Sequence, residues 1–342
     1  MYKASFQLHR LNFMEPGGTS RGILTSKMSY YLSVWEEDEP SKVGTGECSI
    51  LPRLSIDDRP GLEEKLSEVC RNIDDYTLDL HESLMAWPAI RFALEAALID
   101  LHNGSTNILF PSPFTDGSMT IPINGLIWMG NLEEMSRRIA AKVQDGFACL
   151  KLKIGALDID SELALLRLLR KLYGPETIEL RVDANGAFSP GEAKKIIKEL
   201  AKLKIHSIEQ PIMAGHEKEM ATLCANTPVP IALDEELIGI NQPEKKRALL
   251  ELIKPQYIIL KPSLLGGFKA SEEWIEHAKS LGIGWWVTSA LEANTGLNAI
   301  AQWTATLGNP MPQGLGTGQV FSNNTESFLV VENGHLHYRR KA

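Results

Sequence analysis

The 342-residue chain has only four cysteines, Cys48, Cys70, Cys149 and Cys224, far apart and without a CxxC pair. That scarcity argues against both a disulfide framework and a zinc site, which leaves reduced, buried thiols as the expectation. No apolar run approaches the 18 residues of a membrane helix, and the opening MYKASFQLHRLNF has no long apolar stretch. Secretion and membrane insertion are disfavoured, and a cytoplasmic location is expected. Positive charge is not in excess either. Lysine and arginine number 35 against 43 acidic residues, a formal charge of −8, which argues against a nucleic-acid surface. The remainder, 44% apolar and 23% charged, is the balance of a globular protein with a large core.

What is present changes character near residue 119. Before it, residues 1–58 read as strands: Tyr2–Phe13 alternates, Ser29–Trp35 is rich in Tyr, Leu and Val, and GTGECS (44–49) follows. A polar loop, EPGGTSRG (15–22), separates the first two. Residues 61–73 and 83–103 then read as helices, the second with Ile90, Ala93, Leu94, Ala97 and Leu98 in one stripe. Strands followed by helices predict an α+β domain over 1–112, with FPSPFTDGS (110–118) as the linker. After it, strands are expected at 120–125, 149–154, 178–183, 205–209, 230–234, 256–261 and 284–288, alternating with helices. Seven βα units with right-handed crossovers predict a closed (β/α) barrel over 113–319.

Six charges recur at nearly constant intervals through those units. Lys151 and Lys153, Asp183, Glu209, Asp234 and Lys261 each close a β-rich run, and the gaps from Lys153 onward are 30, 26, 25 and 27 residues. One βα unit consumes about that length, so the six charges stack around one rim. An open sheet would spread them over about 19 Å, whereas a barrel brings them together. Lys151 and Lys153 point to the same face, since side chains alternate along a strand. Three hard oxygen donors without His or Cys predict a Mg²⁺ site, or Mn²⁺, held by Asp183, Glu209 and Asp234. Asp234 is preferred to Glu235 and Glu236 because the 25-residue step and the strand end fall on it. Lysines flanking a cation that holds a carboxylate suit removal of a proton alpha to that carboxylate.

The order Lys-x-Lys, Asp-x-Asn, Glu-Gln-Pro, Asp-Glu and Lys-Pro-Ser resembles the enolase superfamily, in its muconate-lactonizing-type subgroup. GECSILPRLS (46–55), IPINGLIW (121–128), SALEANTGLNAIAQWTA (289–305) and QGLGTG (313–318) extend the resemblance along the chain. It implies an α+β cap, a modified (β/α)7β TIM-type barrel, and a C-terminal segment, 320–342, that returns to the cap. It also implies a small-molecule carboxylate substrate and a Mg²⁺-dependent syn dehydration of a succinyl-bearing hydroxy-cyclohexadiene carboxylate, in menaquinone synthesis. Racemisation of N-succinylamino acids, dipeptide epimerisation and cycloisomerisation are the alternatives on that scaffold. In this resemblance Lys153 is the base, Lys261 stabilises the anion from the opposite face, and Lys151 assists. Asn185 supports the cation site, and Asn124, Arg181, Ser289 and Gly314 are substrate-contact candidates, with a structural ion pair the equal alternative for Arg181. Arg21 belongs to the loop that covers the pocket. Oligomeric state is left open.

Overall fold

Alternation along the first fifty residues leaves each strand one face to bury, and the chain meets that need with an antiparallel meander. The computed structural model describes residues 1–19, 22–128, 132–156 and 158–339. Strands β1 (Tyr2–Thr19), β2 (Gly22–Glu36) and β3 (Glu39–Ser49) pair in chain order. Helices α1 (Leu62–Arg71), α2 (Ile73–Leu78), α3 (Leu80–Ser83) and α4 (Pro88–His102) follow. The helix expected from residue 83 starts at Pro88 instead. Proline has no N–H to bond back into a preceding turn and suits the first turn of a new helix. Leu32, Val34, Cys48, Ile90, Ala93 and Ala97 form the core between sheet and α4. The approach is so close that a Cβ at Gly46 would stand 1.9 Å from the Ala93 carbonyl oxygen.

Beyond the cap the strands are short and buried on both faces. In chain order they are β4 (Ile121–Pro122), β5 (Gly125–Ile127), β6 (Cys149–Lys153), β7 (Glu179–Asp183), β8 (Ser207–Glu209), β9 (Ile231–Leu233), β10 (Tyr257–Leu260) and β11 (Gly284–Val287). The intervening helices are α5 (Leu132–Gln144), α6 (Ile159–Leu172), α7 (Pro190–Lys202), α8 (Glu217–Ala225), α9 (Pro243–Ile253), the one-turn α10 (Pro262–Leu265) and α11 (Phe268–Ser280). Helix α12 (Asn294–Thr306) follows β11. Ser189 and Glu192 form a reciprocal capping box on α7, with Pro190 in its first turn. Strands β5 to β11 lie side by side in a parallel sheet. Gln313 and Gly314 close it, bridging Ile123 on one side and Thr288 on the other. The eighth strand is thus reduced to two residues, and the fold is a (β/α)7β barrel under an α+β cap.

The strand expected at 120–125 divides. Pro122 has no N–H to donate to a ladder, and β4 pairs with the second strand of the C-terminal hairpin formed by β12 (Leu329–Glu332) and β13 (His335–Tyr338). Pairing with the barrel begins at Gly125, opposite Leu150. The C-terminal segment divides as well. Phe321 bridges Phe13 on β1, and Ser322 N donates to the Asn12 carbonyl at 2.9 Å, whereas β12 and β13 sit on β4. All four cysteines are free, three of them buried. Among the described residues no helix is long and apolar enough to cross a membrane.

Candidate active site

The register of three adjacent strands places the first charges. Lys153 lies opposite Asp183 across β6 and β7, and Asp183 opposite Glu209 across β7 and β8. Leu150 and Leu152 are fully buried on the other face of β6, toward the helices, so Lys151 and Lys153 are left inside the barrel mouth. Lys151 Nζ reaches Asp183 Oδ2 at 3.0 Å and Glu209 Oε2 at 2.5 Å. Lys153 Nζ donates to Asp183 Oδ2 at 2.6 Å and Asn185 Oδ1 at 2.5 Å. On the far side Lys261 Nζ donates to Asp234 Oδ2. The six residues predicted from spacing therefore share one mouth.

Local structure holds these groups in place. Gln210, the middle residue of Glu-Gln-Pro, is fully buried, and its Oε1 accepts from Asp234 N at 3.1 Å. Asn185, at φ 44°, donates its backbone N–H to Asp183 Oδ1 at 3.1 Å and its amide to Glu235 Oε1 at 3.0 Å. Lys261 directly precedes α10, and two residues of the cap helix α4 clamp the segment beyond it. Arg91 Nε donates to the Gly266 carbonyl at 2.6 Å, and one turn later Glu95 accepts from Phe268 N at 2.6 Å and Lys269 N at 3.1 Å.

Electrostatics here is a contest between burial and pairing. Burial opposes the charge on Asp183, but the ammoniums of Lys151, Lys153 and Lys261 outweigh it and hold the carboxyl well below the usual range. Burial, and then Asp183, push Glu209 up to about 8. Burial likewise lowers the proton affinity of Lys151 and Lys261, and the surrounding carboxylates reverse that, leaving both raised. Among the described residues no three acidic, histidine or cysteine side chains are drawn together as a ligand set; the carboxylates are neutralised by lysines. Glu209 Oε1 is buried with no hydrogen-bond partner. Three carboxylates of this hardness, one with an unpartnered oxygen, fit a Mg²⁺-type cation.

Above the charges lies a cavity lined by Lys151, Lys153, Asp183, Asn185, Glu235 and Lys261 at its floor. Leu51 and Leu54 of the cap face it from one side and Leu126, Trp128, Ala290 and Leu291 of the barrel from others. Asn124, Ser289 and Gly314 are in its wall, as expected of substrate-contact candidates. The Asn124 Oδ1 atom is buried and has no partner, and Ser289 Oγ pairs with Thr317 Oγ1. Arg181 does not line the cavity, so of its two expected roles the structure shows the ion pair and not the substrate contact. Its guanidinium bonds Glu179 at 2.6 Å and the Pro312 carbonyl at 2.9 Å, and stacks 4.2 Å from the Trp286 ring centroid. It shares the face of Asp183 but sits two residues deeper along the strand, about 7 Å. Arg21 lies outside the described residues. Leu51, Leu54, Leu291 and Thr317 line the cavity from within the segments GECSILPRLS, SALEANTG and QGLGTG, and Thr288 from the end of the strand expected at 284–288.

Comparison with known proteins agrees with this geometry. The profile of the family described as Enolase C-terminal domain-like matches residues 134–342. The chain belongs to the enolase superfamily. It is 47% identical to the o-succinylbenzoate synthase of Desulfotalea psychrophila (strain LSv54), over 97% of this chain and 98% of that one. The crystal structure of MenC from the same organism superposes with a TM-score of 0.87 at 44% identity, covering 98% of this chain and 99% of that one. The L-Ala-D/L-Glu epimerase of Bacillus subtilis is 26% identical over 80% of this chain and 74% of its own. A muconate lactonizing enzyme from Pseudomonas fluorescens shares the fold, with a TM-score of 0.84 at 21% identity and coverage of 98% of this chain and 93% of that one. Enzymes of this superfamily are generally metal-dependent.

Proposed function

We propose that the chain is a Mg²⁺-dependent o-succinylbenzoate synthase. Its substrate is 2-succinyl-6-hydroxy-2,4-cyclohexadiene-1-carboxylate, dehydrated in the course of menaquinone synthesis by a cytoplasmic enzyme. The support comes from Lys153 and Lys261, which face one cavity over three buried carboxylates on successive strands. Asp183, Glu209 and Asp234 would hold the cation, which when bound polarises the substrate carboxylate and acidifies the adjacent C–H. Lys153 takes the alpha proton and returns it to the departing hydroxide on the same face. Lys261, kept cationic by its carboxylate neighbours, faces the developing anion from the other side. Lys151, paired to Asp183 and Glu209, adds positive charge beneath. The apolar walls suit a carbocycle, and Asn124 and the Ser289–Thr317 hydroxyl pair offer polar contacts to the succinyl chain.

The same two lysines on opposite sides of the cavity also suit racemisation of an N-succinylamino acid. A 31% identical N-succinylamino acid racemase of Thermus thermophilus, matched over 48% of this chain, favours keeping that second activity in view. The deciding experiment assays both substrates with Mg²⁺ or Mn²⁺ and in excess chelator. Efficient, cation-dependent dehydration supports the synthase. Racemisation without dehydration makes the racemase the function, and full dehydration in chelator removes the cation from the scheme.

A further inference from the structure

Outside the barrel mouth lies a second set of buried ionisable groups, at the seam between cap and barrel. Lys27, in the middle of β2, is 2% exposed. Its Nζ donates to Ser49 Oγ and, across 264 residues of sequence, to the Leu291 carbonyl at 2.8 Å. Glu47 on β3 accepts from Ser29 Oγ at 2.7 Å, Ala293 N at 2.8 Å and Gly296 N at 2.9 Å, so a cap strand caps the barrel helix α12. Glu292 accepts from Ser263 Oγ and from Ala290 N at 2.8 Å. Burying an ammonium is costly unless it is paired. Here burial lowers the Lys27 proton affinity, and Glu47 and Glu292 offset part of that, leaving it lowered.

The positions Lys27 touches explain why that cost is tolerated. Ser49 ends β3, two residues before Leu51, and Leu51 and Leu54 form the cap-side wall of the cavity. Leu291 is on the barrel-side wall. Its φ is 60°, a left-handed backbone that a residue with a side chain keeps only when its surroundings hold it. Lys27 takes its carbonyl, and Glu292 and Glu47 take the flanking N–H groups of Ala290 and Ala293. One ammonium therefore joins the two apolar walls from behind, without itself lining the cavity.

We propose that Lys27 is a positioning residue: by holding the Ser49 hydroxyl and the Leu291 carbonyl together, it sets the separation of the two apolar walls. It thereby governs substrate affinity and leaves proton transfer at Lys153 untouched. The kinetic consequence rests on the proposed dehydration; the structural one does not.

The test compares the unaltered protein with Lys27→Met and Ser49→Ala. It reads kcat and KM for dehydration, calorimetric binding of o-succinylbenzoate with Mg²⁺, and amide hydrogen exchange over residues 289–293. Lys27→Met is expected to raise KM and the product Kd about tenfold, with kcat within about threefold of the unaltered enzyme. Exchange over 289–293 should accelerate. Ser49→Ala, which removes one of two partners and keeps a compact core, should raise KM about threefold and decides the matter if Lys27→Met does not fold. The inference is overturned by a folded Lys27→Met protein whose exchange over 289–293 is unchanged, or whose kcat falls while KM stays constant. If the unaltered protein neither dehydrates the substrate nor binds o-succinylbenzoate, the proposed activity fails, and exchange over 289–293 still decides the role of Lys27.

Discussion

The charges at the barrel mouth and those in the seam between cap and barrel are about equally buried, yet they are partnered differently. In the seam Glu47 and Glu292 each accept hydrogen bonds on both oxygens, several from backbone N–H groups that no movement of a side chain can withdraw. At the mouth the carboxylates meet chiefly the tips of flexible lysines, with the Asn185 N–H on Asp183 Oδ1 as a backbone donor beside them. Glu209 Oε1 has no hydrogen-bond partner, and Asn124 Oδ1 and Thr288 Oγ1 in the cavity wall are also without partners. A buried polar group fixed to backbone is architecture. One held by a movable ammonium, or not held, is arranged for something that arrives later. Substitutions should separate the two regions: mouth variants lose turnover and keep the fold, whereas seam variants lose stability first.

The largest effect is expected at Lys153. Lys153→Ala should cut kcat by at least about 10²–10⁴-fold, the usual contribution of a general base, with an unchanged melting temperature. Glu209→Gln belongs with it. Removing a buried carboxylate that lacks a full set of partners should abolish cation-dependent turnover while leaving stability without cation equal or higher. A mouth variant that unfolds the protein would erase the distinction between the regions. Lys261→Arg sharpens it from within the mouth. The guanidinium keeps the charge but cannot give up its proton, so measurable dehydration should survive while solvent deuterium ceases to enter an N-succinylamino acid from that face. Loss of dehydration as complete as in Lys153→Ala would assign Lys261 proton transfer as well as charge.

In the seam the leading variant is Glu47→Ala. It leaves the Ser29 hydroxyl and the N–H groups of Ala293 and Gly296 without their acceptor. At about 1 kcal/mol or more for each buried donor left unsatisfied, roughly 3 kcal/mol of stability should be lost, read as a lower urea midpoint. An unchanged midpoint would show that water or neighbouring groups replace Glu47.

The difference between the regions also decides what could be read before any coordinates. The mouth was legible because one βα unit takes a nearly constant length, so charges at strand ends betray their common rim by spacing alone. Depth was not legible. Arg181 shares a face with Asp183, but periodicity of two says nothing about which layer of the barrel a residue occupies. The seam left no pattern at all. Lys27, Glu47 and Glu292 come from two cap strands and a barrel loop, and their meeting depends on how cap and barrel dock. The split of the strand expected at 120–125 has the same origin, since β4 takes its partner from the far end of the chain.

The smallest expected effect concerns Glu95, where α4 meets α11. Burial raises its carboxyl from 4.5 to about 7, against the N–H groups of Lys269 and Phe268 and the charge of Arg91, which lower it. In the folded protein it therefore binds a proton over a pH range in which the unfolded chain has already released it. The stabilising contribution is fully present below pH 4.5 and is lost as pH rises through 7. Glu95→Gln keeps an acceptor oxygen and has no proton to lose, so its stability should be flat across that window. The stability difference between the two proteins should therefore change by about 2.5 kcal/mol between pH 5 and pH 8, the carboxylate form losing ground as pH rises. Urea midpoints at those two pH values measure it. A constant difference would mean that Arg91 and the helix N-terminus keep Glu95 ionised throughout, and the seam would then contain no group that titrates near neutrality at this helix junction.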